Sequence, residues 1–299
     1  MDNILHKKIR VGVSACAYGA KTRYNRKGWD FVSEFGRDMS NFIWCPVCPE
    51  AMSGMGTPRS QIRIQGSSGR GVLTGDAKII TRNGEDVTDD IMTACNLCMG
   101  VLKKTKIDAY IYMDGSPTCG IERTSLKNKK IGKPPGVFGA MLLNEDIFLI
   151  PALSLSSPVR RWDYKRRLYA YVWVRDHEIN TKHEMYEFWH TIKFLCQELD
   201  ENESRKIGRV LAVSDFAPEK IAELKRYVLE LLKKPSTLEK IKNRLWKHYM
   251  YMKKNQGIEI SDIMMPADNR NMHHIAMELE ALEKVAFTND ILFGSMPSR

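Results

Sequence analysis

One change of pattern along the chain governs what it can fold into. Up to about residue 153, short apolar runs alternate with amphipathic segments. From Trp162 onward, apolar residues recur at helical spacing among many charges. Strand-like runs occur at Ile9-Arg10-Val11-Gly12-Val13, at Phe42-Ile43-Trp44, at residues 107–113 and at residues 147–150. A helical pattern at residues 89–103 separates the second run from the third. Alternation of this kind predicts a Rossmann-like α/β layer with a largely parallel sheet, because parallel strands need crossover segments between them. In the second half, Met185, Phe188, Ile192, Leu195 and Leu199 form one stripe of an amphipathic helix. Ile221, Leu224, Val228, Leu231 and Leu232 form another, opened by Pro218 and closed at Pro235. Ser236 and Glu239 read as a capping box ahead of Leu238, Ile241, Leu245 and Met252, and residues 273–287 read as a last helix. An all-α domain is therefore expected there. The Ser- and Pro-rich residues 151–158 are the natural linker, which gives domains at 1–153 and 160–299.

Composition excludes several classes. With 299 residues, two domains are the default, and 43% hydrophobic with 27% charged residues excludes disorder, collagen and coiled coil. The net charge of +10 suggests a polyanionic partner such as RNA. The uncharged run at residues 147–159 is too short to span a bilayer, so no membrane role is expected. Lys7 and Lys8 lead straight into the first strand without the apolar stretch of a signal peptide, so a cytoplasmic protein is expected.

Seven cysteines, an odd number in a chain expected to be cytoplasmic, argue against a disulfide framework. Cys16, Cys45, Cys48, Cys95, Cys98 and Cys119 crowd the first half, and Cys196 alone lies in the second, beside the apolar face of a helix. Cys45-Pro46-Val47-Cys48 and Cys95-Asn96-Leu97-Cys98 are CxxC pairs, the raw material of a four-thiolate zinc site, but their separation far exceeds the roughly 15–20 residues of a zinc ribbon. Cys95 and Cys98 also fall inside the expected helix, where small core residues belong. A thioredoxin-like dithiol should open a helix, whereas Pro49 and Glu50 read as the start of a loop. Gly66-Ser67-Ser68-Gly69-Arg70-Gly71 lacks the spacing of a phosphate-binding loop and reads as a surface turn. Position is more telling. Cys16, Cys48 and Cys119 each lie a few residues past the C-terminal end of an expected strand. Loops at that edge of an open α/β sheet converge on ligands, so the three are predicted to share one pocket.

Five short motifs occur in order, Ser14-Ala15-Cys16, Cys48-Pro49-Glu50, Thr57-Pro58-Arg59, Asp86-Val87-Thr88 and Ser116-Pro117-Thr118-Cys119-Gly120. Together with Arg23-Tyr24 and residues 136–143, the series closely resembles the thiouracil desulfidase family over about residues 8–150. These are iron–sulfur enzymes that take sulfur from thiolated pyrimidines without net redox change. The resemblance implies a [4Fe–4S] cluster held by Cys16, Cys48 and Cys119, with Glu50 as acid/base and Ser116 as the assisting hydroxyl. That set is chemically coherent, since three thiolate ligands leave one iron open to sulfur and a carboxylate can deprotonate the attacking water. The chain departs from the family pattern at Asn25-Arg26 and at Met113-Asp114-Gly115, positions that bear on substrate choice. Cys45, three residues before Cys48, is a further thiol that could reach the cluster.

The helical half resembles a domain often fused C-terminally to this desulfidase in enzymes that act on 4-thiouridine in tRNA. The matching stretches are Arg160-Arg161-Trp162 through Trp173-Val174-Arg175, Gly208 to Ala212, and Lys234 to Met250, whereas about the last 40 residues do not follow the pattern. In residues 160–175, Arg160, Arg161, Lys165 and Arg166 are interleaved with aromatic residues, a composition suited to phosphate contacts and base stacking. The same composition also fits an ordinary amphipathic helix with an aromatic core. Lys129 and Lys130 are expected near the pocket mouth. The resulting expectation is conversion of thiouridine in RNA, foremost 4-thiouridine in tRNA, to uridine. Two alternatives are a desulfidase of free thiopyrimidine bases or nucleosides, and a non-catalytic nucleic-acid-binding protein stabilised by zinc on Cys45, Cys48, Cys95 and Cys98.

Overall fold

The computed structural model describes residues 5, 7–39, 41–124, 133–213, 217–259 and 271–289. The chain divides into two compact units, Lys7–Ser156 and Ser157–Arg299, with Leu5 grouped with the second. The division falls inside the Ser- and Pro-rich stretch expected to be the linker.

The first unit begins with β1 (Ile9–Ser14), α1 (Ser33–Gly36), β2 (Phe42–Val47) and α2 (Pro49–Met52). A hairpin follows, β3 (Ile62–Gln65) and β4 (Lys78–Thr81), with α3 (Gly69–Thr74) between its strands. Next come α4 (Thr88–Thr105), β5 (Ala109–Tyr112), α5 (Val137–Leu143) and β6 (Phe148–Pro151), and a 3₁₀ turn at Ala152–Ser156 ends the unit. The four-stranded sheet has the order β2-β1-β5-β6 and every pairing in it is parallel. All four residues of β5 are buried, as parallel strands covered by helices require. Ile79, Ile91, Leu102, Tyr110 and Phe138 form the core under α4 and α5.

Two local expectations needed correction. The run at Phe42-Ile43-Trp44 continues as strand to Val47, so Cys45 and Pro46 lie within β2 rather than after it. Pro46 is tolerated because β2 is an edge strand of the sheet, where a missing N–H breaks no central ladder. The glycine-rich stretch is more than a surface turn. The Ser68 side chain accepts from the Arg70 amide and caps α3, and the Gly69 amide donates to the Pro135 carbonyl at 2.7 Å. A Cβ on Gly69 would lie 2.2 Å from the Gly136 backbone, so this close approach demands glycine.

The second unit contains α6 (Pro158–Asp176), α7 (Lys182–Leu199), α8 (Glu201–Val213), α9 (Pro218–Lys233), α10 (Leu238–Gln256) and α11 (Met272–Thr288). The apolar stripe of α7 is buried as expected, with Met185, Phe188, Ile192, Leu195 and Leu199 all inside. The expected capping box at Ser236 does not form. Thr237 caps α10 by accepting from the Lys240 amide, and the buried Ser236 hydroxyl donates to Glu198 Oε1 at 2.6 Å.

The interior of the helical unit explains the charge pattern of α6. Asp163, Arg166, Arg167 and Glu198 are all buried. Asp163 Oδ1 accepts from Arg166 Nε at 3.1 Å and Nη2 at 2.8 Å, and its Oδ2 accepts from Arg167 Nε at 2.9 Å. Arg166 also pairs with both oxygens of Glu198 and lies 4.3 Å from the Trp162 ring. The expectation that Arg166 meets RNA is therefore corrected, since its guanidinium is committed inside the unit. The interleaved aromatics Trp162, Tyr164, Tyr169, Tyr171 and Trp173 are core residues as well, which is the amphipathic-helix reading of this segment. Arg160 donates to the Ser236 carbonyl at 2.6 Å, and Arg161 and Lys165 are half-buried. Lys129 and Lys130 lie outside the described residues.

Candidate active site

The sheet edge predicted to gather the cysteines does so. A cavity of about 580 Å³ opens at the C-terminal ends of the strands, and Cys16, Cys48 and Cys119 all line it. Cys16 follows β1, whose end is tied to β2 by the Ala15 amide donating to the Val47 carbonyl at 2.9 Å. Cys48 is the extended N-cap of α2, so a helical turn does open after it, contrary to the loop expected there. Cys119 sits in the loop after β5. That loop is organised by the buried Asp114, whose Oδ1 accepts from the amides of Ile121, Glu122 and Arg123 at 3.0, 3.1 and 3.2 Å. The departure from the family pattern at Asp114 is thus the anchor of the Cys119 loop. The loop is closed by the Gly136 amide donating to the Gly120 carbonyl at 2.7 Å.

Glu50 and Ser116, far apart in sequence, meet in this cavity. The Ser116 hydroxyl donates to Glu50 Oε1 at 2.9 Å. Its oxygen accepts from the amides of Thr118 and Cys119 at 3.1 and 3.2 Å, which fixes the rotamer. Glu50 Oε2 accepts from Arg59 Nη2 at 2.5 Å. Ser14, buried at the end of β1, accepts from the Met113 amide at 3.1 Å and so ties β1 to the segment after β5.

The thiols are perturbed in one direction. Burial, followed by the neighbouring Cys48, pushes the Cys16 thiol up to about 12, partly offset by the Arg23 guanidinium. Burial and then Glu50 raise Cys48, with the Thr22 hydroxyl among the groups that act against them. Burial, then Cys48 and Glu50, hold Cys119 well above the ordinary thiol range. Thr22 Oγ1 and Arg23 Nε are buried without a hydrogen-bond partner among the described residues. These are the polar hydrogens available to the sulfur atoms of Cys48 and Cys16.

The rival thiol set is not assembled as a single-ion site. Cys95 and Cys98 face the apolar core from α4, and Cys98 Sγ lies 3.3 Å from Met52 Sδ. The Thr105 hydroxyl lies 3.8 Å from Cys45 Sγ, and Cys45 is not among the residues that line the cavity. Among the described residues, no three His, Cys, Asp or Glu side chains converge closely enough to hold one metal ion. A cluster is larger than an ion and takes its thiolates further apart.

Sequence reasoning missed the second half of the site. Arg63 and Arg82 also line the cavity, and both come from the β3–β4 hairpin, whose short strands gave no periodic signal. Arg59 was visible only as the end of a Thr-Pro-Arg motif, with no partner assigned.

Comparison with known proteins finds relatives of the first unit. The family model for 2-thiouracil desulfurase matches residues 11–152. The uncharacterized protein YbbK of Bacillus subtilis (strain 168) is 37% identical over 134 residues, covering 44% of this chain and 87% of that protein. A solved structure of the [4Fe–4S]-dependent thiouracil desulfidase TudS is similar over 50% of this chain and 98% of its own, at 25% identity and a TM-score of 0.38. The family match stops before the helical unit. Through its first unit, the chain belongs to the 2-thiouracil desulfurase family.

Proposed function

We propose that this chain replaces the sulfur of a thiolated pyrimidine by oxygen, without net redox change, and that its substrate is a thiouridine within RNA, foremost 4-thiouridine in tRNA. The observation that carries the reading is the meeting of three thiols, Cys16, Cys48 and Cys119, with the Glu50–Ser116 pair in one cavity. The donor set fits a [4Fe–4S] cluster. It consists of thiols alone, Cys16 and Cys119 are buried and Cys48 is half-buried, and Arg23 and Thr22 lie beside two of the three sulfurs to offset thiolate charge. When bound through three thiolates, the cluster supplies one iron with an open position for the departing sulfur.

The chain's own residues supply the rest. Water adds its oxygen to the thiocarbonyl carbon, the carbon–sulfur bond breaks, and sulfur leaves as sulfide carrying the electron pair. Glu50 takes one proton from the attacking water, and the second is lost from the resulting hydroxyl to the departing sulfide as the carbonyl forms, so that water and thiocarbonyl give carbonyl and hydrogen sulfide. Ser116 holds Oε1 of that carboxylate, and its hydroxyl is itself held by two backbone amides, so the acceptor lobe facing the cavity is fixed.

Charge supports the polyanionic form of the substrate. Arg23, Arg59, Arg63 and Arg82 line the cavity, whereas among the described residues Glu50 is its one acidic residue and is already paired with Arg59. Among the described residues, the Arg63 and Arg82 side chains make no hydrogen bond or ion pair. Guanidinium groups left open at a pocket rim suit phosphate.

The test begins with protein purified without oxygen. About four irons and four sulfides per chain are expected, whereas stoichiometric zinc without sulfide would favour the zinc-stabilised alternative. Turnover is then compared on thiolated tRNA and on free thiouracil. Replacing Glu50 by Ala should abolish turnover with the cluster retained. Replacing Arg63 and Arg82 together by Ala should lower kcat/KM on tRNA at least about tenfold, the scale of one lost charged contact, and leave free thiouracil unaffected. Equal rates on both substrates, unchanged by the double variant, would establish the free-thiopyrimidine reading instead.

A further inference from the structure

We infer that Arg59 is a positioning residue for the proposed reaction. Its guanidinium acts as a two-sided clamp that holds the Glu50 carboxylate toward Ser116. The inference rests on the desulfidase reading above and adds to it the question of what keeps the proposed base in place.

Glu50 needs such a device for two reasons. It sits on a four-residue helix, α2, which is too short to define a side-chain direction by packing. It also lines the same cavity as Cys16, Cys48 and Cys119. A carboxylate beside three sulfur ligands is pushed away from them unless something holds it. Ser116 holds one oxygen, and Arg59 holds the other.

The clamp has a fixed back. Arg59 Nη1 donates to the Thr22 carbonyl at 2.9 Å, to the Gly56 carbonyl at 3.1 Å and to Thr57 Oγ1 at 3.2 Å. The Arg59 amide donates to the Tyr24 carbonyl at 3.1 Å. One nitrogen therefore ties together the loop after β1 and the turn before Arg59, while the other reaches Glu50. The Arg59 side chain is 3% exposed and that of Glu50 is 15% exposed, so water does not substitute for this contact. Arg59 Nε, meanwhile, is buried without a partner among the described residues. Leaving a buried donor unsatisfied is costly. The fork is oriented for Nη1 and Nη2 at the expense of Nε, which marks the Glu50 contact as the one the geometry serves.

A lysine at this position keeps the charge but not the planar fork, and it cannot hold the Thr22 carbonyl and Glu50 at fixed angles together. Two variants are therefore compared in the cluster-loaded protein with a thiopyrimidine substrate. Arg59→Ala is expected to lower kcat about 100-fold, the usual consequence of a roughly 1 Å misplacement, with KM within about twofold. Added guanidinium ion is expected to restore at least about tenfold of that loss. Arg59→Lys is expected to keep the fold and the iron content yet remain at least about tenfold below the unsubstituted chain in kcat. A crystal structure of Arg59→Lys without substrate should show Glu50 released from Ser116. Full activity of Arg59→Lys overturns the inference, as does a change confined to KM or a Glu50 carboxylate still seated on Ser116. If Arg59→Ala fails to fold, Arg59→Lys carries the test alone. An unsubstituted, cluster-loaded chain inactive on every thiopyrimidine, or a fully active Glu50→Ala variant, would instead overturn the reading on which the inference rests.

Discussion

Replacing Asp163 by Ala tests the claim that the charged face of α6 is an internal lattice rather than a surface. Asp163 is fully buried and receives three charge-assisted hydrogen bonds, two from Arg166 and one from Arg167, between 2.8 and 3.1 Å. Such bonds are worth about 1.5–3 kcal/mol each. Adding them overstates the loss, because Arg166 keeps Glu198 and Arg167 keeps the Leu232 carbonyl at 2.9 Å. What remains is the cost of stranding buried guanidinium charge, about 3–5 kcal/mol. Equilibrium unfolding in urea, followed by the fluorescence of Trp162 and Trp173, reads this directly. With a slope of about 2 kcal/mol/M, the midpoint of the helical unit should fall by about 2 M. Asp163→Asn retains one acceptor oxygen and should lose about half as much. Because the network is out of contact with solvent, raising the salt concentration should not shrink either difference. A loss below about 1 kcal/mol, the level of an exposed pair, or one that salt erases, would refute the argument and return Arg166 to the surface.

Two further outcomes follow from the same reasoning. A Cβ on Gly136 would lie 2.5 Å from the Thr118 carbonyl and 2.6 Å from that of Pro117, both backbone atoms of the loop that carries Cys119. Gly136→Ala should therefore cost about 1–3 kcal/mol and lower the melting temperature of the first unit, and calorimetry showing no change would disprove the close approach. Burial and then the neighbouring Arg244 hold His248 down to about 4, so between about 4 and the ordinary histidine value near 6.5 the unfolded chain binds more protons than the folded one. Stability of the helical unit should thus be full above pH 6.5 and decline as pH falls through that window. His248→Gln should remove most of the slope, and a slope unaltered in that variant would assign it to other groups.

What was legible in advance follows from the range of the physical signal. Residues 89–103 declared a helix because an apolar period of 3.6 repeats over several turns, and the structure places α4 at Thr88–Thr105. Strands β1, β5 and β6 were visible as apolar runs because a parallel sheet covered on both faces needs nothing else. The hairpin of β3 and β4 was missed, since four-residue strands with charged residues on one face carry little periodicity. Arg63 and Arg82 were missed with it. The capping box at Ser236 failed for a different reason, because its hydroxyl was claimed by a buried carboxylate that no local pattern announces.

The change of architecture near residue 153 is written in the local pattern of the chain. That pattern also placed Cys16, Cys48 and Cys119 after strand ends, since period and position are local properties. Which polar groups face each other is settled by packing in three dimensions. Packing turns Arg166 inward onto Asp163 and Glu198, and brings Ser116 and Arg59 onto the two oxygens of Glu50. Two of these pairings, Arg166 with Glu198 and Ser116 with Glu50, join residues tens of positions apart. They depend on angles of approach that a one-dimensional pattern does not encode, and it is the packing of the sheet edge that sets them.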